Sequence, residues 1–290
     1  MDVLGQCIQY GKMENMKPDT EKKTYRRVMT IAGSDPSGGA GVQADIKTIS
    51  ACGCFATSAI VAVVDENTVG VTGVHPIPAA FVAGQIRSIL DDIGTDAVKI
   101  GMLHSSELVR TVRTTLDAYP DITDIVLDPV MVATSGDPLL EEDAVKTIRE
   151  VLIPRSRIIT PNIPEAELLL GHSIDGGDCL PDAARELAGF GASVFLKAGH
   201  LSDDELVDIF YNAETDTMLR LASPRVPTVN THGTGCTLSS ALASFLAKGH
   251  PLDDAARLAK KYIASAIEAG AHYAIGHGHG PVHHFHAYWQ

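Results

Sequence analysis

The segment Asn230-Thr231-His232-Gly233-Thr234-Gly235-Cys236-Thr237 places two glycines and a thiol where a helix begins. A strand-like run, Arg225 to Val229, precedes it. Leu238, Ala241, Leu242, Phe245 and Leu246 follow at the spacing of a helix that buries one face. The first turn of a helix leaves backbone N–H groups without intrahelical partners and carries the positive end of the helix dipole, so it receives anions. Gly233 and Gly235 let an anion approach the backbone closely. Cys236 falls in the first turn with its thiol toward whatever binds, and a helix N-terminus lowers the pKa of a thiol. An anion hole containing a reactive group predicts phosphoryl transfer. Taken alone, the Gly-x-Gly-Cys loop is also compatible with a plain helix start over a buried thiol.

The elements around this loop decide between the two readings. From Arg27 onward strand-like and helix-like segments alternate. The strands are Arg27–Ala32, Phe55–Val64 (read as one buried strand), Ala97–Ile100, Ile125–Leu127, Ile158–Thr160 and Ser193–Lys197. The helices run from about Gly41 through Ile49, then over Pro78–Asp91, Ser105–Tyr119, Glu141–Leu152, a stretch after Asn162, Pro181–Phe190, Gly235–Lys248 and Leu252–Gly270. Repeated strand-then-helix units with apolar strands predict an α/β fold, a mostly parallel sheet with helices on both faces. Leu206–Tyr211 and Thr217–Leu221 read as an antiparallel hairpin at one edge. No linker or repeat divides the chain, so residues 25–290 read as one domain and residues 1–24, polar and of mixed charge, as a loosely ordered extension.

Ligands in such sheets sit beyond the carboxyl ends of the strands. Polar and glycine-rich residues gather at those ends: Gly33-Ser34-Asp35, Asp65-Glu66-Asn67, Gly101-Met102, Asp128-Pro129, Pro161-Asn162 and Lys197-Ala198-Gly199-His200. This rim favours the anion hole. Individual members keep two readings. Asn162-Ile163-Pro164-Glu165 is a capping box, or Glu165 orients water around an Mg²⁺ that bridges phosphates. Asp128 holds a metal-bound water or caps a loop. Lys197 is a solvated charge or a phosphate contact. Neither G-x-x-x-x-G-K-[ST] nor G-x-G-x-x-G is present, which argues against a P-loop enzyme or an ordinary dinucleotide-binding dehydrogenase. The tail Gly276 to His286 is rich in histidine, but intervening glycines and irregular spacing disfavour a metal site.

The 290 residues carry 23 basic and 36 acidic side chains, a formal charge of −13 that repels nucleic acid and anionic lipid. No apolar run is long enough to span a membrane. Cys7, Cys52, Cys54, Cys179 and Cys236 are odd in number and scattered, as expected of reduced thiols in a cytoplasmic protein. Cys52-x-Cys54 reads as a pair of small core residues.

Several long motifs together resemble the hydroxymethylpyrimidine/phosphomethylpyrimidine kinases of thiamin biosynthesis, within the ribokinase-like superfamily. They are Thr30-Ile31-Ala32-Gly33-Ser34-Asp35-Pro36-Ser37-Gly38-Gly39-Ala40-Gly41-Val42-Gln43-Ala44-Asp45, Lys99-Ile100-Gly101-Met102-Leu103, Asp128-Pro129-Val130-Met131, Thr160 to Ala166, Asn230 to Thr237 and Gly280-Pro281-Val282-His283-His284-Phe285. The resemblance implies a three-layer α-β-α ribokinase-like domain, usually a homodimer. It further implies a kinase that uses ATP and Mg²⁺ to phosphorylate 4-amino-5-hydroxymethyl-2-methylpyrimidine and then its monophosphate. By motif, Asp45, Val64, Glu66 and Met102 would line the pyrimidine pocket, with Gly33 and Ala40 near it. Gly233, Gly235 and Cys236 would form the anion hole. Asn162, Glu165 and Asp128 would serve the Mg²⁺–phosphate region, and Lys197, Thr234 and Lys260 the nucleotide side. Most ribokinase-like sugar kinases place an Asp where this chain has Cys236, and the family usually has Gln where this chain has Glu66. The neighbouring readings are a pyridoxal/pyridoxine kinase and a non-catalytic nucleotide or pyrimidine sensor.

Overall fold

Apolar side chains occupy both faces of the central strands, because helices cover the sheet on both sides. The computed structural model describes residues 23–131, 142–199 and 205–289. Most of the expected N-terminal extension, and His200 of the expected rim, lie outside the described residues.

In chain order the elements are β1 (Arg27–Ala32), α1 (Gly41–Ala51), β2 (Phe55–Ile60), β3 (Ala62–Glu66), β4 (Val71–Pro76), α2 (Ala79–Asp92), β5 (Ala97–Ile100), α3 (Ser106–Asp117) and β6 (Ile125–Leu127). After these come α4 (Glu142–Thr147), β7 (Ile158–Ile159), α5 (Ile163–Leu170), α6 (Leu180–Ala188), β8 (Ser193–Leu196), β9 (Glu205–Asn212), β10 (Thr217–Pro224), α7 (Thr234–Ala247) and α8 (Leu252–Gly270). Eight strands form the main sheet in the order β10-β9-β8-β7-β6-β5-β1-β2. From β2 to β8 neighbours pair in parallel. The edge hairpin β9–β10 adds antiparallel, as expected.

Successive side chains on a strand point to opposite faces, and the two cores follow that period. Met29, Ile31, Val98, Ile100, Ile159 and Val194 pack with α2, α3, α5 and α6. Val28, Ala97, Val126, Ile158 and Phe195 pack with α1, α7 and α8. Lys99 shares the second face with Ala97, so its amine is sent between α1 and α7 rather than into solvent. That placement matters for the site.

The stretch Phe55–Val64 departs from expectation. It is two strands: β2 stays in the main sheet, whereas β3 leaves it and pairs antiparallel with β4 in a separate two-stranded sheet. The junction at Val61 is pinned by its N–H to the Ala32 carbonyl and by the Ile77 N–H to its own carbonyl. An unbroken Val61-Ala62-Val63-Val64 run, with no turn residue, conceals the switch. β4 contains Gly73 and ends in Pro76, both poor strand residues, so its partner was invisible as well. The consequence is functional: Val63 is exposed while Val64 is buried, facing inward with Glu66 to form a wall beside the sheet. The helix expected from Glu141 is α-helical only to Thr147 and continues as a π-helical turn over Ile148–Leu152.

Candidate active site

A cavity of about 650 Å³ opens where the parallel strands end. Its wall takes Gly33 and Ser34 after β1, Val64 and Glu66 from β3, and Lys99 and Met102 at the end of β5. Asp128, Asn162 and Lys197 follow β6, β7 and β8, while Lys260 enters from α8. The start of α7 lies among them, so the ends of different strands and the helix N-terminus converge on one volume.

Two glycine loops shape that volume. Gly233, the N-cap of α7, has φ +76°, and a Cβ there would overlap the Gly39 carbonyl oxygen. The loop after β1 and the loop before α7 therefore meet backbone to backbone, which only glycine permits. Asp35 organises the first loop, its carboxylate accepting from the N–H groups of Ser37, Gly39 and Ala40 and from the Ser37 hydroxyl. His232 Nε2 lies 2.8 Å from the same carboxylate and ties the second loop to the first. Burial would raise the Asp35 pKa, but the His232 and Ser37 hydrogen bonds and the Ala40 N–H outweigh it and hold it well below the usual carboxylate range. Burial likewise disfavours the imidazolium of His232, yet Asp35 and then the charge of Glu66 raise its pKa above the ordinary value.

Cys236 lies in the first turn of α7 and borders the cavity, partly exposed to it. The expected lowering of its pKa is not what this site produces. Burial pushes the thiol up to about 11, opposed by the Lys99 charge and by an N–H from Gly41, while Asp45 and Asp128 add to the rise. Desolvation, with the two carboxylates adding to it, outweighs the helix N-terminus here.

On the other side of the α7 start stands an acidic group. Asp128 is fully buried and accepts from Thr160 Oγ1, from Lys197 Nζ at 3.2 Å and from Ser239 Oγ at 3.3 Å. Both halves of the capping box are present: the Asn162 side chain accepts from the Glu165 N–H, and the Glu165 carboxylate accepts from the Asn162 N–H. Glu165 also faces Lys197 at 3.8 Å. Burial drives its pKa up to about 7, with Lys197 opposing and Asp128 reinforcing. So Glu165 caps α5 and borders the cavity at once. A Cβ on Gly235 would sit 3.2 Å from Lys197 Nζ and 3.3 Å from Asp128, so this glycine keeps the approach to both open. Farther along, Lys260 Nζ donates to Asp208 at 2.8 Å.

Every expected site residue borders this cavity except Asp45. Asp45 is fully buried, accepting from Thr30 Oγ1, Lys99 Nζ and Ser240 Oγ, and is not among the residues that border the cavity. Lys197, expected on the nucleotide side, stands against Asp128 and Glu165. Sequence reasoning placed Asp35 in the rim and His232 in the glycine loop without a role for either, and gave none to Lys99 or Asp208. Asp35 had a usable signal, since Asp two residues before Ser in a Gly-rich loop favours an Asx turn. Lys99 had none. The histidine tail is structural along its backbone, with the His279 N–H on the Thr68 carbonyl and the His277 and Gly278 N–H groups on Thr68 Oγ1. Among the described residues the trio close enough to share an ion is Asp35, Glu66 and His232, not a tail cluster. Cys52 and Cys54 are core residues, as read.

Comparisons with known proteins agree with this geometry. Residues 35–283 match the family model described as phosphomethylpyrimidine kinase. The chain is 45% identical over 264 residues to the hydroxymethylpyrimidine/phosphomethylpyrimidine kinase of Rhizobium meliloti, covering 90% of this chain and 98% of that one. It is 45% identical over 258 residues to the thiamine biosynthesis bifunctional protein ThiED of Geobacter sulfurreducens; the match takes in 89% of this chain and 52% of that longer protein. Among solved structures, the ADP complex of Bacillus subtilis pyridoxal kinase superposes with a TM-score of 0.83 at 34% identity, over 90% of this chain and 98% of that one. With strand ends, glycine loops and helix N-terminus arranged around one cavity, the chain belongs to the phosphomethylpyrimidine kinase family.

Proposed function

We propose that this chain transfers the γ-phosphoryl group of ATP to the hydroxymethyl of 4-amino-5-hydroxymethyl-2-methylpyrimidine, and then a second one to the resulting monophosphate. One observation carries the reading. The N-terminus of α7, with Gly233, Thr234, Gly235 and Cys236, lines the same cavity as Val64, Glu66 and Met102 and as Asp208 and Lys260. An aromatic alcohol beside the first three side chains and a nucleotide beside the last two would meet at the anion hole. A volume of about 650 Å³ lies within the range of small-molecule sites.

In the first transfer the hydroxymethyl oxygen forms a bond to the γ-phosphorus while its proton passes to the Cys236 thiolate, which becomes the thiol. The bond from phosphorus to the ADP oxygen breaks, and its electron pair leaves with ADP. The α7 amides stabilise charge on the phosphoryl oxygens. In the second transfer the acceptor is already a phosphate oxyanion and needs no base. The buried carboxylates of Asp128 and Glu165 supply hard oxygen donors, and burial, the main cause of the raised pKa of Glu165, is a cost that a neighbouring cation would offset. Asn162, Asp128 and Glu165 would hold Mg²⁺ on this side of the cavity, where it would neutralise phosphate charge.

Glu66 sets the ring preference. A carboxylate only accepts, so it pairs with a pyrimidine protonated on its ring nitrogen together with the adjacent amino group. His232 lies close to Glu66, whose charge contributes to raising the imidazole pKa. Binding by the native protein is then lost as pH rises through the pKa of the bound ring. Glu66→Gln, which matches the neutral ring, is expected to remain active with the opposite slope, its KM for the pyrimidine alcohol rising toward low pH by up to about tenfold per unit. Superimposable KM–pH profiles for the two proteins would refute this role.

Likeness to a pyridoxal kinase keeps a vitamin B6 ring alcohol as the second reading. Incubation with ATP, Mg²⁺ and each alcohol, read by mass, tests both. Mono- and diphosphate of the pyrimidine are expected. Phosphorylated pyridoxine alone would replace the reading, and binding without ADP release would indicate a sensor.

A further inference from the structure

Lys99 is a lysine with no exposed surface, on a strand otherwise made of Ala97, Val98 and Ile100. Its Nζ donates to Asp45 at 2.9 Å, and Asp45 accepts in turn from Ser240 Oγ at 2.7 Å and Thr30 Oγ1 at 2.5 Å. Burying such a pair is seldom worth more to stability than apolar side chains of the same volume. Its place in the fold suggests another use. Ser240 stands one turn beyond Cys236 on α7, so both side chains lie on one helix face. That face meets Asp45 at Ser240, the carboxylate that also holds the Lys99 amine, and Cys236 and Lys99 both border the cavity. Lys99 also borders the cavity, and a Cβ on Gly101 would lie 2.8 Å from Nζ, leaving the amine room only beside that glycine.

We propose that Lys99 is a positioning residue for Cys236: held by Asp45, which α7 grips through Ser240 one turn from the sulfur, its charge determines how readily Cys236 becomes the thiolate that accepts the substrate proton. The inference rests on the kinase reading for its use, but the coupling itself is a property of the empty protein. The charged groups facing the sulfur are Lys99 from β5, Asp45 from α1, Asp128 after β6 and Lys197 after β8, with the Gly41 N–H adding a donor. Burial opposes the ammonium of Lys99, yet Asp45 and then Cys236 and Asp128 keep its pKa above the ordinary value. It is therefore a standing positive charge beside a thiol that lacks enough of it.

Two substitutions separate this from a packing role because they act in opposite directions. Asp45→Asn leaves Lys99 with the sulfur as a remaining anionic partner, which lowers the thiol pKa. Lys99→Met raises it. The probe is iodoacetamide at pH 7.5, with the alkylation rate read by mass on the peptide containing Cys236, so that exposed Cys179 does not interfere. Asp45→Asn is expected to speed alkylation of Cys236 by about tenfold, one pKa unit being a factor of ten in thiolate. Lys99→Met is expected to slow it by a similar factor. Should Lys99→Met fail to fold with Asp45 left alone, the double variant carries the test, since it buries no lone charge and is compared with Asp45→Asn. Equal rates in those two proteins, or rates shifted the same way in both single variants, would overturn the proposal. Absent phosphorylation of the pyrimidine would overturn the kinase reading and leave the alkylation result standing.

Discussion

Cys236→Ser is expected to slow phosphorylation of the pyrimidine alcohol by about 10²-fold or more, the lower end of what a positioned base contributes, while slowing phosphorylation of the monophosphate only a few-fold. The two transfers share the helix N-terminus, the loop contact at Gly233 and the acidic group around Lys197. They differ in the acceptor, which carries a proton in the first and a negative charge in the second. A serine hydroxyl occupies nearly the same space and leaves the α7 amides in place, but it cannot hold the proton. The raised pKa adds a second signature. With the thiol pushed up to about 11 in the unliganded protein, about one sulfur in a thousand is a thiolate at pH 8. The rate of the first transfer at saturating substrates should therefore climb with pH across the neutral and mildly alkaline range. The second should not, and in Cys236→Ser the climb should vanish. Equal slowing of both transfers would mean that the sulfur packs against the substrate rather than taking its proton.

The parts of this arrangement that were legible in sequence are those fixed by local chemistry. The α7 start was readable because glycines and a 3.6-residue apolar period coincide at Gly235 to Leu246, and the structure begins its helix at Thr234. The rim was readable because parallel strands deliver their carboxyl ends to one side, so Gly33, Met102, Asp128, Asn162 and Lys197 reach one cavity from five strands. What stayed hidden depends on contacts distant in the chain. Lys99 and Asp45 are 54 residues apart, and neither carries a local mark of the other. Asp45 looked like a pocket residue because it ends a motif whose other members line the pocket; its position on the inward face of α1 instead sends it to Lys99. His232 and Asp35 are 197 residues apart and meet only because two glycine loops touch. The thiol pKa failed for a related reason. A helix N-terminus is a local feature, whereas the burial and the two carboxylates that outweigh it come from three other elements. Sequence thus disclosed most of the groups that border the cavity but not which charges set their protonation.

The contact between the glycine loops yields the other large effect. Gly233→Ala is expected to reduce both phosphorylations by about 10²-fold or more, the size of loss that a 1 Å misplacement of a reacting group can cause. Its methyl would overlap the Gly39 carbonyl and crowd Ala40 Cα at 3.2 Å. Backbone is on the receiving side, so no side chain can swing away and the loops must separate. Separation pulls His232 from Asp35, which holds the N–H groups of Gly39 and Ala40, and it shifts the α7 N-terminus relative to the substrate wall. The cost to stability combines a left-handed conformation with overpacking, about 2–4 kcal/mol together, or a melting temperature lower by roughly 4–16 °C. Gly249→Ala separates strain from displacement. Gly249 also has positive φ, +85°, but nothing lies within 4 Å of where its Cβ would be, and it is remote from the cavity residues. It should lose about 1–2 kcal/mol from the backbone conformation and keep its kinetic constants for both substrates. If Gly233→Ala melted no lower than Gly249→Ala and retained both activities, the loops would be able to part without cost, and the anion hole would not depend on their contact.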